Sequence, residues 1–142
     1  LYIRAKKDNP FDPNQPGYTS GRINTAGKVE LQYGLWEIRA KLPSGVGTWP
    51  AIWMLGENIT NVGWPICGEI DIMEHVGYDL GVVHGSVHTE AYNHKINTQK
   101  SSARKISNVD TEFHVYSIIW DKDKISFFID DIQYFLFETR RS

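Results

Sequence analysis

The chain has little of what several classes of protein depend on. It has one cysteine, Cys67, so no disulfide can form within the chain, and cysteine usage does not identify the redox compartment. No apolar run approaches the roughly 18 residues that span a bilayer, and no charged and then apolar leader precedes the first residue. The net charge of −2 provides no basic field for phosphates. We therefore expect neither a membrane span nor a nucleic-acid partner.

Several catalytic motifs are also missing. The chain contains no Gly-rich phosphate loop, no cysteine-based nucleophile arrangement and no Gly-x-Ser-x-Gly elbow. His84, Ser86 and His88 share one face of a predicted strand, and two histidines four residues apart suit zinc on a helix. The local pattern is β, however, and no third ligand follows at a suitable spacing. We therefore expect no metal in catalysis.

Short runs of Val, Ile, Tyr, Phe and Trp between Gly, Pro, Asn and Asp clusters predict an all-β protein. Few segments show helical periodicity. The regular spacing of turns favours a sandwich of antiparallel sheets. The predicted strands cover residues 1–6, 18–25, 28–42, 48–56, 67–76, 82–89, 112–121, 124–130 and 132–138.

Two tight hairpins and two loops connect these predicted strands. Asp130-Asp131 and the Asp-Lys-Asp-Lys segment 121–124 each separate two apolar runs, as hairpin turns do. Three prolines within residues 8–17 predict a surface loop, because proline cannot sustain a β-ladder. Residues 90–110 are polar and predict a second loop, whose length is typical of functional or mobile segments.

The segment 68–75, Gly-Glu-Ile-Asp-Ile-Met-Glu-His, carries three carboxylates. Side chains on a regular strand alternate between faces, so Glu69 and Asp71 share a face, whereas Glu74 would point the other way. One extra residue at 72–73, a β-bulge, restores the parity, and bulges are common beside active sites. The spacing thus predicts a bulged strand with all three carboxylates on one face.

The spacing of the two glutamates also bears on chemistry. Four effective steps of ~3.3 Å place their Cα atoms about 13 Å apart, and each side chain reaches about 4 Å. If both lean inward, the carboxyl groups end roughly 5 Å apart, the separation found in retaining glycosidases. Such crowding disfavours simultaneous ionisation, so at least one pKa should rise. The structural alternative is an amphipathic strand with solvated acids and with Ile70, Ile72 and Met73 in the core.

Aromatic and polar residues flank this segment in the sequence. Trp49 and Trp53 share a strand face, and Trp64 precedes the carboxylate strand. Indole planes stack on the apolar faces of pyranose rings, although each indole alone suits a protein core equally well. Glu37 and Arg39 also share a face, and we expect them either to bind hydroxyls or to form an exposed cross-strand ion pair.

In these residues the chain resembles glycoside hydrolase family 16, and within it the bacterial laminarinases, which are endo-1,3-β-glucanases. Lichenases and xyloglucan transglycosylases of the family look unbulged, whereas laminarinase-like, agarase and carrageenase members resemble this chain. Trp64-Pro65 followed by Gly68 favours the laminarinases. The matching blocks, in family order, are residues 18–25, 33–43, 47–55, 64–65 with 68–77, and 84–89.

The resemblance implies a jelly-roll β-sandwich of two curved antiparallel sheets with an open cleft. It implies that Glu69 is the nucleophile, Asp71 its helper and Glu74 the general acid/base. The reaction would be retaining hydrolysis of internal bonds in a β-1,3-glucan. By the same resemblance, the residues that line the sugar subsites are Glu37, Arg39, Trp49, Trp53, Trp64 and His88.

The resemblance also bears on cofactors, location and extent. It implies no cofactor for catalysis and a structural calcium ion, for which these residues identify no ligands. Its polymeric substrates imply secretion or display at a cell surface. Residues 1–142 are expected to form a single glycoside hydrolase catalytic domain that lacks the family's terminal strands and is truncated at both ends.

Several alternative functions stay open. Within the family, the substrate could be a mixed-linkage β-glucan or a galactan of the agarase or carrageenase type, and the reaction could be transglycosylation. A non-catalytic β-glucan-binding relative has the same fold but lacks the two glutamates. A plain β-sandwich interaction module would have no affinity for saccharides.

Overall fold

The computed structural model describes residues 1–7 and 17–139. They belong to two compact units, Leu1–Glu30 and Leu31–Ser142. In the first unit, β1 (Lys6–Lys7) and β2 (Tyr18–Thr19) pair antiparallel. The predicted strands 1–6 and 18–25 are therefore wrong in extent, because regular pairing covers only Lys6–Lys7 and Tyr18–Thr19. The loop predicted over 8–17 lies outside the described residues, apart from its last residue.

The regular secondary structure of the second unit consists mainly of strands. A short helix, α1 (Ile59–Val62), follows the strand Ala51–Leu55, and a 3₁₀ turn spans His94–Ile96. Within the described part of the chain, no helix has the length and apolar character needed to cross a membrane. The strands are β3 (Gly34–Ala40), β4 (Ala51–Leu55), β5 (Glu69–His75), β6 (Val82–His88), β7 (Lys100–Lys105), β8 (His114–Trp120), β9 (Lys124–Ile129) and β10 (Ile132–Glu138).

Two four-stranded antiparallel sheets form this unit, in the orders β10-β9-β8-β3 and β4-β5-β6-β7. The predicted antiparallel sandwich is thus confirmed. Met73 and Val83 from one sheet share a buried core with Tyr116 and Phe127 from the other. Burying side chains of this size typically contributes about 1.5–3 kcal/mol each. Gly85 permits close contact between the sheets, because a Cβ there would lie 2.9 Å from the Phe127 ring.

Both predicted hairpins are present. The β9–β10 turn places Asp130 and Asp131 at φ 48° and 63°, as expected for a two-residue turn that matches the strand twist. In the β8–β9 turn, the Asp121 carboxylate accepts hydrogen bonds from the backbone N–H groups of Asp123 and Lys124, at 2.8 and 2.9 Å. Aspartate suits such turns because its side chain bonds the backbone two residues on.

The loop prediction over residues 90–110 is wrong in its second half. Residues Lys100–Lys105 form β7, which pairs with β6 in regular antiparallel register. The sequence of β7, Lys-Ser-Ser-Ala-Arg-Lys, has no alternating apolar residues because it is an edge strand, and edge strands commonly carry charges that discourage further pairing. Strand propensity alone therefore does not predict β7.

The predicted strand over 28–42 is too long. The left-handed φ values of Tyr33 (65°) and Gly34 (104°) interrupt the extended chain before the rest of β3. Such values suit turns and are costly for a residue with a side chain. The other predicted strands agree with the structure to within a few residues at each end.

Candidate active site

Strand β5 carries the predicted β-bulge. Asp71 lies opposite Ser86 and Glu74 opposite His84, so three steps along β5 correspond to two along β6. On the other side, β4 shows the same shift, because its neighbouring residues Ile52 and Trp53 pair with Met73 and Asp71. The extra residue falls at 72–73, as the carboxylate spacing predicts.

The bulge sets which side chains of β5 face the core. Ile70, Ile72 and Met73 are buried in the core cluster. Glu69, Asp71 and Glu74 occupy register positions next to His88, Ser86 and His84, respectively, on the opposite face of the sheet. Asp71 is only 3% exposed, so the alternative of a solvent-bathed acidic face is wrong for the central carboxylate.

Each of the two glutamates accepts a hydrogen bond from an indole. The Nε1–H of Trp64 donates to Glu69 Oε2 at 2.6 Å, and the Nε1–H of Trp49 donates to Glu74 Oε1 at 3.0 Å. Trp53 occupies the β4 position opposite Asp71. Hydrogen bonds to ionised acceptors are stronger than neutral ones and fix the carboxylates in place. The three indoles predicted to lie near the carboxylates are therefore brought to them.

Backbone hydrogen bonds hold the two donor indoles in position. Trp49 lies between Thr48 and Pro50, whose carbonyls accept from Gly77 N (2.9 Å) and His75 N (3.2 Å), just beyond Glu74. Trp64 lies in the turn between α1 and β5, where Cys67 N donates to Gly63 O at 3.0 Å and Gly68 N donates to Pro65 O at 3.1 Å. The first segment is thus bonded beside the C-terminal end of β5, and the second leads into its N-terminal end, which keeps each indole in reach of its carboxylate.

Asp71 links the nucleophile candidate to a histidine. Its Oδ2 lies 3.2 Å from His88 Nε2, and its carboxyl group also hydrogen-bonds Glu69. His88 is 7% exposed, and within the described residues its Nδ1 is buried without a hydrogen-bond partner. The tautomer with the proton on Nε2 satisfies the contact with Asp71 and leaves no buried donor unpaired.

The predicted rise in pKa occurs at Asp71. Burial raises its pKa from 3.8 to about 7, and the charges of Glu74 and Glu69 and the hydrogen bond to Glu69 act in the same direction, against the hydrogen bond from His88. That last hydrogen bond raises the pKa of His88 above its ordinary value. The site thus holds a proton near neutral pH in contact with Glu69.

The raised pKa of Asp71 predicts a pH-dependent stability. Between about pH 4 and about pH 7 the folded protein keeps a proton that the unfolded chain has lost, so the free energy of unfolding should fall as pH rises through this window and level off above it. Asp71→Asn removes this titration and keeps an acceptor for His88. We expect wild type, but not the variant, to lose on the order of a few kcal/mol across the window in denaturant unfolding. Parallel curves for the two proteins would contradict this assignment.

Glu37 and Arg39 are not brought to the carboxylates. Both lie on β3, in the other sheet, where they alternate with Trp36 and Ile38, which pack against the core. The guanidinium of Arg39 instead lies 4.3 Å from the centre of the Phe113 ring. Their shared face was predictable from the alternation, but the alternation does not specify to which sheet a strand belongs.

Two residues near the carboxylates were not predicted from the sequence. The His94 ring stacks on Trp64 with 4.6 Å between ring centres, and Lys95 Nζ lies 4.9 Å from the same ring. Both belong to the 3₁₀ turn within the polar segment after β6. The only sequence signal was their position a few residues beyond His88, in a stretch without periodicity.

Within residues 1–7 and 17–139, one group of three His, Cys, Asp or Glu side chains is close enough to hold a metal ion. It consists of Glu69, Asp71 and His88, whose candidate ligand atoms lie within 4.8 Å of one another. These side chains already form hydrogen bonds with one another and with Trp64. The group includes a histidine nitrogen, whereas calcium takes oxygen ligands, so it does not suit the expected structural calcium ion.

The chain is similar in sequence to known proteins. The family profile described as glycosyl hydrolases family 16 matches residues 2–142. A β-glucanase of Rhodothermus marinus is 49% identical over 143 residues, which cover 99% of this chain and 49% of that protein. A glucan endo-1,3-β-glucosidase A1 of Niallia circulans is 39% identical over 92% of this chain and 20% of its own length. The chain thus spans half or less of the length of these relatives.

The fold is also similar to that of solved structures. The laminarinase from Flavobacterium sp. UMI-01 superposes with a TM-score of 0.87 at 49% sequence identity, over 98% of this chain and 57% of that one. The expected family fold, the jelly-roll sandwich, is thereby confirmed for the part of the chain that aligns.

Proposed function

Because the chain belongs to glycosyl hydrolase family 16, we propose that it carries the catalytic carboxylates of a retaining endo-β-1,3-glucanase. The observation that carries this proposal is the bulge in β5, which gathers Glu69, Asp71 and Glu74 on one face. The relatives described as a β-glucanase, a laminarinase and an endo-1,3-β-glucosidase support the choice of substrate.

The proposed reaction divides two steps between the two glutamates. Glu69 attacks the anomeric carbon and displaces the sugar leaving group, whose oxygen takes a proton from Glu74. Glu74 then removes a proton from water, which attacks the same carbon and releases Glu69. Trp64 and Trp49 hold these carboxylates by their indole N–H groups. Asp71 keeps a proton beside Glu69 and thereby limits the charge that accumulates at the site.

Catalysis in this proposal requires no metal ion. The two glutamates supply the nucleophile and the acid/base, so no Lewis acid is needed at the anomeric carbon. The protein would act outside the cell or at its surface, since its substrate is a polymer. Of the predicted subsite residues, Trp49, Trp53 and Trp64 lie beside the carboxylates and support sugar binding there, whereas the buried His88 contacts Asp71.

The test is release of reducing ends from laminarin, lichenan and agarose, each with and without a chelator. We expect laminarin to be the best substrate, agarose to be untouched and the chelator to leave the rate unchanged. Proton NMR of the first products should show the β anomer, because two displacements retain the configuration.

Other outcomes separate the alternative functions. Preferred cleavage of lichenan or agarose would replace the proposed substrate by a mixed-linkage glucan or a galactan. Retardation of the folded protein in a laminarin-containing gel, without release of reducing ends, would identify a β-glucan-binding protein. The presence of both glutamates favours the enzyme over this binding function.

A further inference from the structure

The segment 89–98, here called the His94 loop, contacts Trp64 and His88, the side chains that contact Glu69 and Asp71, respectively. The His94 ring stacks on Trp64, with 4.6 Å between centres and 30° between planes. It also meets the His88 ring edge-on at 5.3 Å and 80°. Trp64 donates to Glu69 and His88 contacts Asp71, so one exposed imidazole packs against both.

Hydrogen bonds within the His94 loop fix its shape. Asn93 is 3% exposed, and its Nδ2 donates to the carbonyls of Thr89 and Glu90, both at 3.1 Å. Its Oδ1 accepts from Lys95 N at 3.1 Å. Thr98 Oγ1 accepts from Asn93 N at 3.2 Å and donates to the carbonyl of Ala91 at 2.9 Å. A buried amide that satisfies three backbone groups leaves the loop few alternative conformations.

Lys95 adds an electrostatic component to the contact with Trp64. Its ammonium lies 4.9 Å from the centre of the indole, within the range in which a cation is attracted to the ring. The cation draws electron density from the indole and makes its N–H a better donor to Glu69. Trp64 is therefore held by a ring on one side, a cation over its face and a carboxylate at its Nε1.

We propose that Asn93 and His94 are positioning residues for the nucleophile, acting through Trp64. Asn93 shapes the loop, His94 holds the indole by stacking, and the indole N–H aims the Glu69 carboxylate. The roles of these residues in turnover rest on the proposed function, but the contact itself does not. Loss of such positioning lowers turnover because small displacements of reacting groups are costly.

The kinetic test compares three substitutions in the loop. We expect His94→Ala to lower kcat on laminarin by about tenfold with KM within about twofold of wild type. His94→Phe keeps the stack without the ring nitrogens and should restore kcat. Ile96→Ala, at an exposed position of the same 3₁₀ turn, is the control and should match wild type. A rise in KM at unchanged kcat for His94→Ala would overturn the proposal, because it would indicate direct sugar contact.

A second readout needs no substrate. The rate at which the indole N–H proton of Trp64 exchanges with water, measured in ¹⁵N-labelled protein with the signal assigned by Trp64→Phe, reports its hydrogen bond to Glu69. His94→Ala and Asn93→Ala should speed this exchange, whereas His94→Phe and Ile96→Ala should not. If wild type cleaves no glucan, the proposed function fails while this exchange rate still decides the positioning. An unchanged rate in folded His94→Ala would overturn the proposal.

Discussion

Replacing Glu69 by alanine should lower kcat on laminarin by about 10³-fold or more. The substitution removes the group that attacks the anomeric carbon, and loss of a nucleophile typically costs at least this much. Folding should be affected little, because Glu69 lies on the face of β5 that is turned away from the core. Reducing-end assays on laminarin, with circular dichroism to verify the fold, measure the effect.

Azide provides the sharper version of this test. In Glu69→Ala the small anion can enter the space left by the carboxylate and attack the anomeric carbon from the same side. A substrate with a good leaving group should then yield the α-glycosyl azide, because one displacement inverts the β-linked carbon. Glu57→Ala, in an exposed position after β4, is the matched control and should keep full activity. Normal turnover by folded Glu69→Ala would contradict the nucleophile assignment.

The part of the site that could be predicted from sequence is the part with a strict geometric rule. Side chains alternate regularly along a strand, so Glu74, five positions after Glu69, can share its face only if the strand contains one extra residue. The register of β5 against both neighbouring strands shows this residue. The hairpin at Asp130-Asp131 followed in the same way from local backbone preferences. Such inferences use only neighbouring residues.

What could not be predicted depends on contacts between distant segments. The charged strand β7 exists because β6 offers it a partner, and its own composition carries no such information. Glu37 and Arg39 share a face as expected, but their strand belongs to the sheet away from the carboxylates. His94 and Trp64 are 30 positions apart in the chain, and nothing local to either residue predicts their stacking.

Replacing Glu74 by alanine should affect substrates according to their leaving groups. On laminarin, whose leaving group is a sugar hydroxyl that needs a proton, we expect kcat/KM to fall by about 10²–10⁴-fold, the range for loss of a general acid. On an aryl β-laminarioside with an acidic phenol as leaving group, the first step needs no proton and kcat/KM should change far less. Initial rates on the two substrates measure the contrast, and equal losses on both would contradict the acid role.

Azide also separates the roles of the two glutamates by stereochemistry. In Glu74→Ala the glycosyl intermediate on Glu69 still forms, and azide attacks it from the open face, so two inversions give the β-glycosyl azide. Glu69→Ala gives the α product for the reason stated above. Each of the two carboxylates accepts an indole hydrogen bond, from Trp64 or from Trp49, so burial and hydrogen bonding alone do not show which one is the nucleophile. An exchange of the α and β products between the two variants would mean that Glu74 attacks and Glu69 transfers the proton.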